Sequence, residues 1–180
     1  MSKRKTVEEK RADLIIKHRN LKKKKKEVRE DGFIIYHLTK GDEYYVMLII
    51  LNQKTIGIAY VRELRDLVQA NEAQKGIMVG NGKYTYSAKA NAPKIGVELI
   101  PPTLPVFDIF KHNLVSDAEI VEGEAKEKVV ERYHAKPYQF PWIKAQDPIA
   151  IILGAEEGDI IKITSESVTA GIAESYRYVV

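Results

Sequence analysis

The chain has 180 residues, 44% hydrophobic and 30% charged, which excludes a disordered segment and allows one full domain or two small ones. It contains no cysteine, which excludes disulfides, thiolate metal sites and thiol nucleophiles and fits an intracellular protein. A net charge of +4 hides an asymmetry: residues 1–30 hold 13 basic and 5 acidic side chains, the other 150 hold 16 and 20.

The first segment, 1–31, reads as a basic helical arm. Residues 5–29 lack Gly and Pro and are rich in Lys, Glu and Arg, which predicts a helix. Val7, Leu14, Leu21 and Val28 recur every seventh position, too thin a seam for a strong coiled coil. The run Lys22, Lys23, Lys24, Lys25 and Lys26 attracts phosphate backbones without reading sequence. A solvated helix face and an acidic protein partner remain open for it. No signal-peptide core is visible in these residues. The longest apolar run, Tyr44–Leu51, is 8 residues, too short for a membrane span.

From Phe33 the period changes to that of strands. Phe33–Leu38 and Tyr44–Leu51 are predicted strands around the turn 40–43, the second apolar on both faces and so central. A short strand at Thr55–Ile58, a helix over 60–73, a strand at Gly76–Gly80, a helix over 84–92 and a strand at Val97–Ile100 follow. This order implies an α/β domain over 32–105, similar to the restriction-endonuclease-like fold. Active members of that fold hold Mg²⁺ with an acidic residue on one strand and a Glu-x-Lys-type pair on the next. Here the matching turn is Asn52-Gln53-Lys54, and the only nearby acids, Asp42 and Glu43, lie in a hairpin turn. Inactivity is the expectation. Gly80-Asn81-Gly82-Lys83 lacks P-loop spacing and reads as a turn. His18, His37, His112 and His134 are too scattered for a metal site. No catalytic residue, metal or cofactor is expected.

Pro101-Pro102-Thr103-Leu104-Pro105 is a stiff connector and marks the domain boundary. Beyond it, Val121–His134 is a predicted helix ended by Pro137. Asp147-Pro148 starts a short helix that Gly154 stops. Ile160–Thr164 and Ala173–Val180 are predicted strands, joined by a turn at Thr169-Ala170-Gly171.

Within 108–180, the segments His112–Val115, Pro141–Lys144, Asp147–Ala150, Leu153–Ala155, Gly158–Ile163, Ser167–Gly171 and Tyr176–Val179 occur in one order at close spacing. Together they resemble the H-type subunit of archaeal RNA polymerase, equivalent to the assembly domain of the fifth subunit of eukaryotic nuclear polymerases. The chain departs from that pattern at Ser116–Ala118, at Ile151 and at Ser165. Eukaryotic members precede this domain with an inactive endonuclease-like jaw, to which 52–68 is similar. The resemblance implies an α+β fold of jaw (32–105) and assembly domain (106–180) preceded by a basic helix. It implies a non-catalytic polymerase subunit that docks on the largest subunit near downstream DNA. Docking would fall on Asp147, Pro148, Gly158, Asp159, Thr169, Ala170, Gly171, Tyr176 and Arg177, with no membrane and no small-molecule substrate. The location would be the cytoplasm of an archaeon or the nucleus of a eukaryote. A stand-alone nucleic-acid-binding protein, or a regulator mimicking the subunit, is the alternative.

Overall fold

Thr6 opens the first helix, α1 (Val7–His18). Its hydroxyl accepts from the Glu9 N–H at 3.2 Å while the Glu9 carboxylate accepts from the Thr6 N–H at 3.1 Å, a reciprocal cap that fixes the start. The computed structural model describes residues 5–29, 31–167 and 171–180. They divide into two compact units, Met1–Phe107 and Asp108–Val180.

The helix predicted over 5–29 stops at His18, and the lysine run lies on a strand, β1 (Lys22–Val28). The reason is local. Asn20 takes a left-handed φ of 54°, the Leu21 N–H reaches back to the Ile16 carbonyl at 2.9 Å, and the Asn20 N–H to that of Lys17 at 3.3 Å. This is the Schellman stop that Asn can form without glycine. Leu21 is buried just beyond it, so the seventh-residue apolar pattern continues across a helix end. Residues 5–29 are therefore a helix followed by a strand in the first unit, not a continuous helical arm.

The first unit continues with β2 (Phe33–Lys40), β3 (Glu43–Ile50), β4 (Thr55–Ile56), α2 (Ile58–Ala70), β5 (Lys75–Gly80), β6 (Lys83–Tyr84), α3 (Tyr86–Asn91) and β7 (Val97–Ile100). The main sheet runs β1-β2-β3-β5-β7. The β1–β2–β3 meander is antiparallel, while β5 and β7 add in parallel. β3 is the central strand, as its unbroken hydrocarbon implies. Phe33, Ile35, Val46, Leu48, Ile50 and Met78 pack with Val61, Leu64 and Val68 of α2 and Ala88 of α3. The alternate residues Ile34, Met47, Ile49, Ile77 and Val79 are buried on the opposite face. There α1, with Ala12, Ile15 and Ile16 buried, lies against β3 and β5. The result is a three-layer α/β/α domain. At Gly76 an added Cβ would meet Leu64 and Val68 at 2.9 Å, so a bare backbone lets α2 approach the sheet.

The second unit contains β8 (Asp117–Val121), α4 (Glu124–Tyr133), β9 (Trp142–Ile143), α5 (Pro148–Leu153), β10 (Ile160–Ser167) and β11 (Gly171–Val179), with sheet order β8-β10-β11-β9. The helix expected from Val121 begins at Glu124; Val121 ends a strand instead. Asp117-Ala118-Glu119-Ile120-Val121 alternates exposed and covered residues, and Gly123 at φ 56° turns the chain into α4. On one face of this sheet Val121, Val129, Phe140, Ile160 and Tyr176 cluster. On the other, Ala150, Ile161 and Val179 do.

Candidate functional site

The five lysines occupy the outer edge of the first unit's sheet, since β1 pairs only with β2. Lys25 lies opposite His37 and Lys26 opposite Tyr36, with an irregularity in register between Lys23 and Lys25. The Lys23 ammonium meets Asp13 of α1 at 2.5 Å and sits 4.3 Å from the centre of the Tyr36 ring. Lys26 meets Glu9 at 3.1 Å, and Lys25 meets Glu27 at 2.6 Å. Three of the five cations are thus committed within the unit, and their carboxylate partners offset part of the local field. Burial alone would raise Asp13 and Glu9. The lysine contacts, with the Thr6 N–H on Glu9, hold both carboxyls below their ordinary range. A lysine-rich strand with a bulge is also how natural sheets discourage pairing at a free edge.

The matching end of the endonuclease-like sheet is hydrocarbon. Phe33 pairs with Ile50 and Ile34 with Ile49, all buried, so these positions offer a hard cation no oxygen. Asp42 and Glu43 sit at the other end of the β2–β3 hairpin, on the order of 25 Å away at the rise of a strand. Among the described residues, no group of three or more His, Cys, Asp or Glu is arranged to hold a metal. His37 is buried beside β1, its Nδ1 2.5 Å from the Tyr44 hydroxyl and its Nε2 3.4 Å from Glu27.

Two polar anchors of this unit, one partly buried and one buried, gave no signal in the sequence. The Arg19 guanidinium grips Glu98 of β7 with two hydrogen bonds, 2.8 and 2.6 Å long, and Lys75 adds an ion pair at 3.4 Å. Burial pushes the Glu98 carboxyl up, but these cations outweigh it and hold it below the ordinary range. Arg11, 6% exposed, donates to the Leu104 carbonyl at 2.8 Å, to Asn81 Oδ1 at 3.0 Å and to the Pro102 carbonyl. It ties α1 to both the proline connector and the loop before β6.

In the second unit, the residues expected to dock fall into distinct local roles. Asp147 Oδ1 accepts from the Ile149 N–H at 2.9 Å and caps α5, with Pro148 exposed at its first position. Gly158 takes φ 98°, and its carbonyl accepts from Lys126 at 2.9 Å. Asp159 Oδ2 accepts from the Glu156 N–H at 2.8 Å. Gly171, at φ 68°, opens β11 opposite Ser167. Thr169 and Ala170 lie outside the described residues. Tyr176 is buried against Tyr133 and Phe140, ring centres 5.6 and 6.2 Å away, and burial raises its phenol. Arg177, next to it on β11, is half-buried and opposite Ile161. Pro148, Gly158, Asp159 and Arg177 keep solvent-facing surface while Tyr176 does not.

Residues 107–179 match the family model for the RNA polymerase Rpb5 C-terminal domain, and residues 2–103 match a restriction endonuclease family model. The DNA-directed RNA polymerase subunit Rpo5 of Sulfolobus acidocaldarius is 48% identical over 74 residues, 41% of this chain and 88% of the relative. This chain belongs to the Rpb5 family. The Rpo5 subunit of Pyrococcus abyssi is 49% identical over the same length, covering 90% of that protein, and that of Methanococcoides burtonii is 39% identical, covering 95%. The Rpb5-type match thus coincides with the second unit. The first unit, with the endonuclease-type match, is additional to what these archaeal relatives contain. No helix among the described residues is long and apolar enough to cross a membrane.

Proposed function

We propose that this protein is a non-catalytic subunit of a multisubunit, DNA-directed RNA polymerase, docking through its second unit on the largest subunit near downstream DNA. The observation that carries the reading is the near-complete coverage of Rpo5 subunits by one compact unit at 48% identity. The surface of that unit supports it. Leu114 is 88% and Trp142 67% exposed; exposed large side chains of this kind mark places where a partner excludes water. The Trp142 indole donates to the Tyr138 carbonyl at 3.1 Å, which fixes the ring's orientation before any partner arrives. The first unit, 32–105 with its N-terminal segment, would act as the jaw-like domain, with chemistry left to other subunits. Location would follow the assembly, the archaeal cytoplasm or the eukaryotic nucleus.

Affinity purification of the tagged chain from its own cells tests this. Recovery of the large polymerase subunits in constant ratio is expected. Their absence sinks the subunit reading and leaves a stand-alone nucleic-acid-binding protein or a mimic of the subunit.

A further inference from the structure

The run Lys22–Lys26 carries the expectation of a nucleic-acid contact, but the strand it forms also has an open main-chain edge. β1 pairs with β2 alone, and all of its residues except Glu27 are exposed. From Lys25 to Val28 the register against β2 is unbroken. The Arg29 N–H donates to the Phe33 carbonyl at 2.9 Å. By the alternation of an antiparallel ladder, the N–H and C=O groups of Val28 and Lys26 therefore point away from β2. Outward groups at this spacing are a template for one more strand. A phosphate backbone, which only accepts hydrogen bonds, could use the N–H groups but not the carbonyls; a peptide strand uses both. Val28, 68% exposed, shares a face with Lys26 and offers apolar contact beside the cations.

Charge decides which strand fits. A second copy of β1 would set lysine against lysine, and like charges across a strand pair repel. Lys22 and Lys24 form no ion pair among the described residues, unlike Lys23, Lys25 and Lys26. Those three stay exposed, so their ion pairs are of the weak surface kind that an incoming carboxylate can share. We propose that the free edge of β1 is the docking site for an extended acidic segment of a partner protein. The segment adds to the five-stranded sheet along Lys25–Val28, covers Val28 with an apolar side chain and sets carboxylates against Lys22 and Lys24. This surface belongs to the first unit, whereas the polymerase reading rests on the second, so the two stand or fall separately.

The test titrates the full chain into a fluorescent peptide alternating Glu and Val, followed by anisotropy across a salt series. Binding that weakens with salt is expected. The same peptide methylated at every backbone nitrogen keeps its charge and side chains but has no main-chain donors, and is expected to bind about tenfold more weakly. Lys22→Gln/Lys24→Gln is expected to weaken the unmodified peptide about fivefold and to reduce its salt dependence. Val28→Pro removes an outward N–H and leaves the ladder to β2 intact, a placement that edge strands tolerate. A loss of about tenfold is expected, with matched melting curves to confirm folding; the methylated peptide makes the same point on the unaltered chain. No binding by the wild type, equal binding of the methylated peptide, or an unchanged lysine variant overturns the proposal. So does a 20-base-pair duplex that binds more tightly than the peptide and is lost in Lys22→Gln/Lys24→Gln, which would return this edge to nucleic acid.

Discussion

The two units differ in how much hydrocarbon they keep for themselves. In the first, β3 is covered on both faces, and Met47, Leu48, Ile49 and Ile50 are all without solvent exposure. In the second, the sheet separates one cluster of five buried side chains from another of three, while Leu114, Trp142 and Ile172 face outward. A small domain has little area to spare for its core. The second unit directs large apolar side chains to its surface, as suits a unit completed by a partner. The first also exposes Val28, Tyr86 and Phe107, but does so around a much larger buried core.

Paired core truncations give the largest expected effect and would break this contrast if it is wrong. Leu48→Ala should remove about 4 kcal/mol from the first unit, and Ile161→Ala about 3 kcal/mol from the second. With a smaller reserve, the second unit should lose its cooperative transition, followed by fluorescence of Trp142, the single tryptophan. The first unit should remain folded by far-UV circular dichroism in its own variant. A cooperative Trp142 transition surviving in Ile161→Ala would erase the difference in margin.

A smaller effect separates the units by pH. Glu98 is held below its ordinary value of 4.5, so the folded state binds fewer protons there than the unfolded chain. Its contribution is fully present above that value and is lost as pH falls through the depressed one. Glu98→Gln should therefore cost about 2 kcal/mol at pH 7, and the gap from wild type in urea midpoint should narrow as the pH falls below the ordinary carboxyl value. A gap independent of pH would show that Arg19 and Lys75 contribute shape rather than charge. Smallest is the helix cap of the second unit. Asp147→Ala should cost about 1 kcal/mol and Asp147→Asn less, read from the Trp142 transition. Equal losses from both would mean the carboxylate does more than cap α5.

Much of the fold was legible because its signals are local. The Tyr44–Leu51 run announced the central strand, and Val61, Leu64, Leu67 and Val68 stand at helical spacing, with all but the partly covered Leu67 buried on α2. Asp147-Pro148 with Gly154 bracketed α5, as its cap geometry shows. What was missed depended on tertiary context. Lysine is a good helix former, and only pairing with β2 makes 22–28 a strand. Asn20 was the one available warning. The alternation in Asp117–Val121 could have been read, but the acidic residues that follow blurred it into the next helix. In the site, the Asn52-Gln53-Lys54 turn pointed to lost chemistry. Nothing in sequence spacing joins Arg11 to Leu104, or Arg19 to Glu98.

The parallel pairing of β3 with β5 also sets an order of assembly. β1, β2 and β3 are neighbours along the chain and can form their meander by short-range closure. The second flank of β3 waits until α2 and β5 have been made, about 25 residues later at Lys75–Gly80. Non-local parallel contacts are slow to form, so a growing chain carries its greasiest strand with one naked side during that interval. The lysines at the opposite rim keep the early meander from sticking to its neighbours there, which leaves β3 as the edge that a chaperone would have to guard.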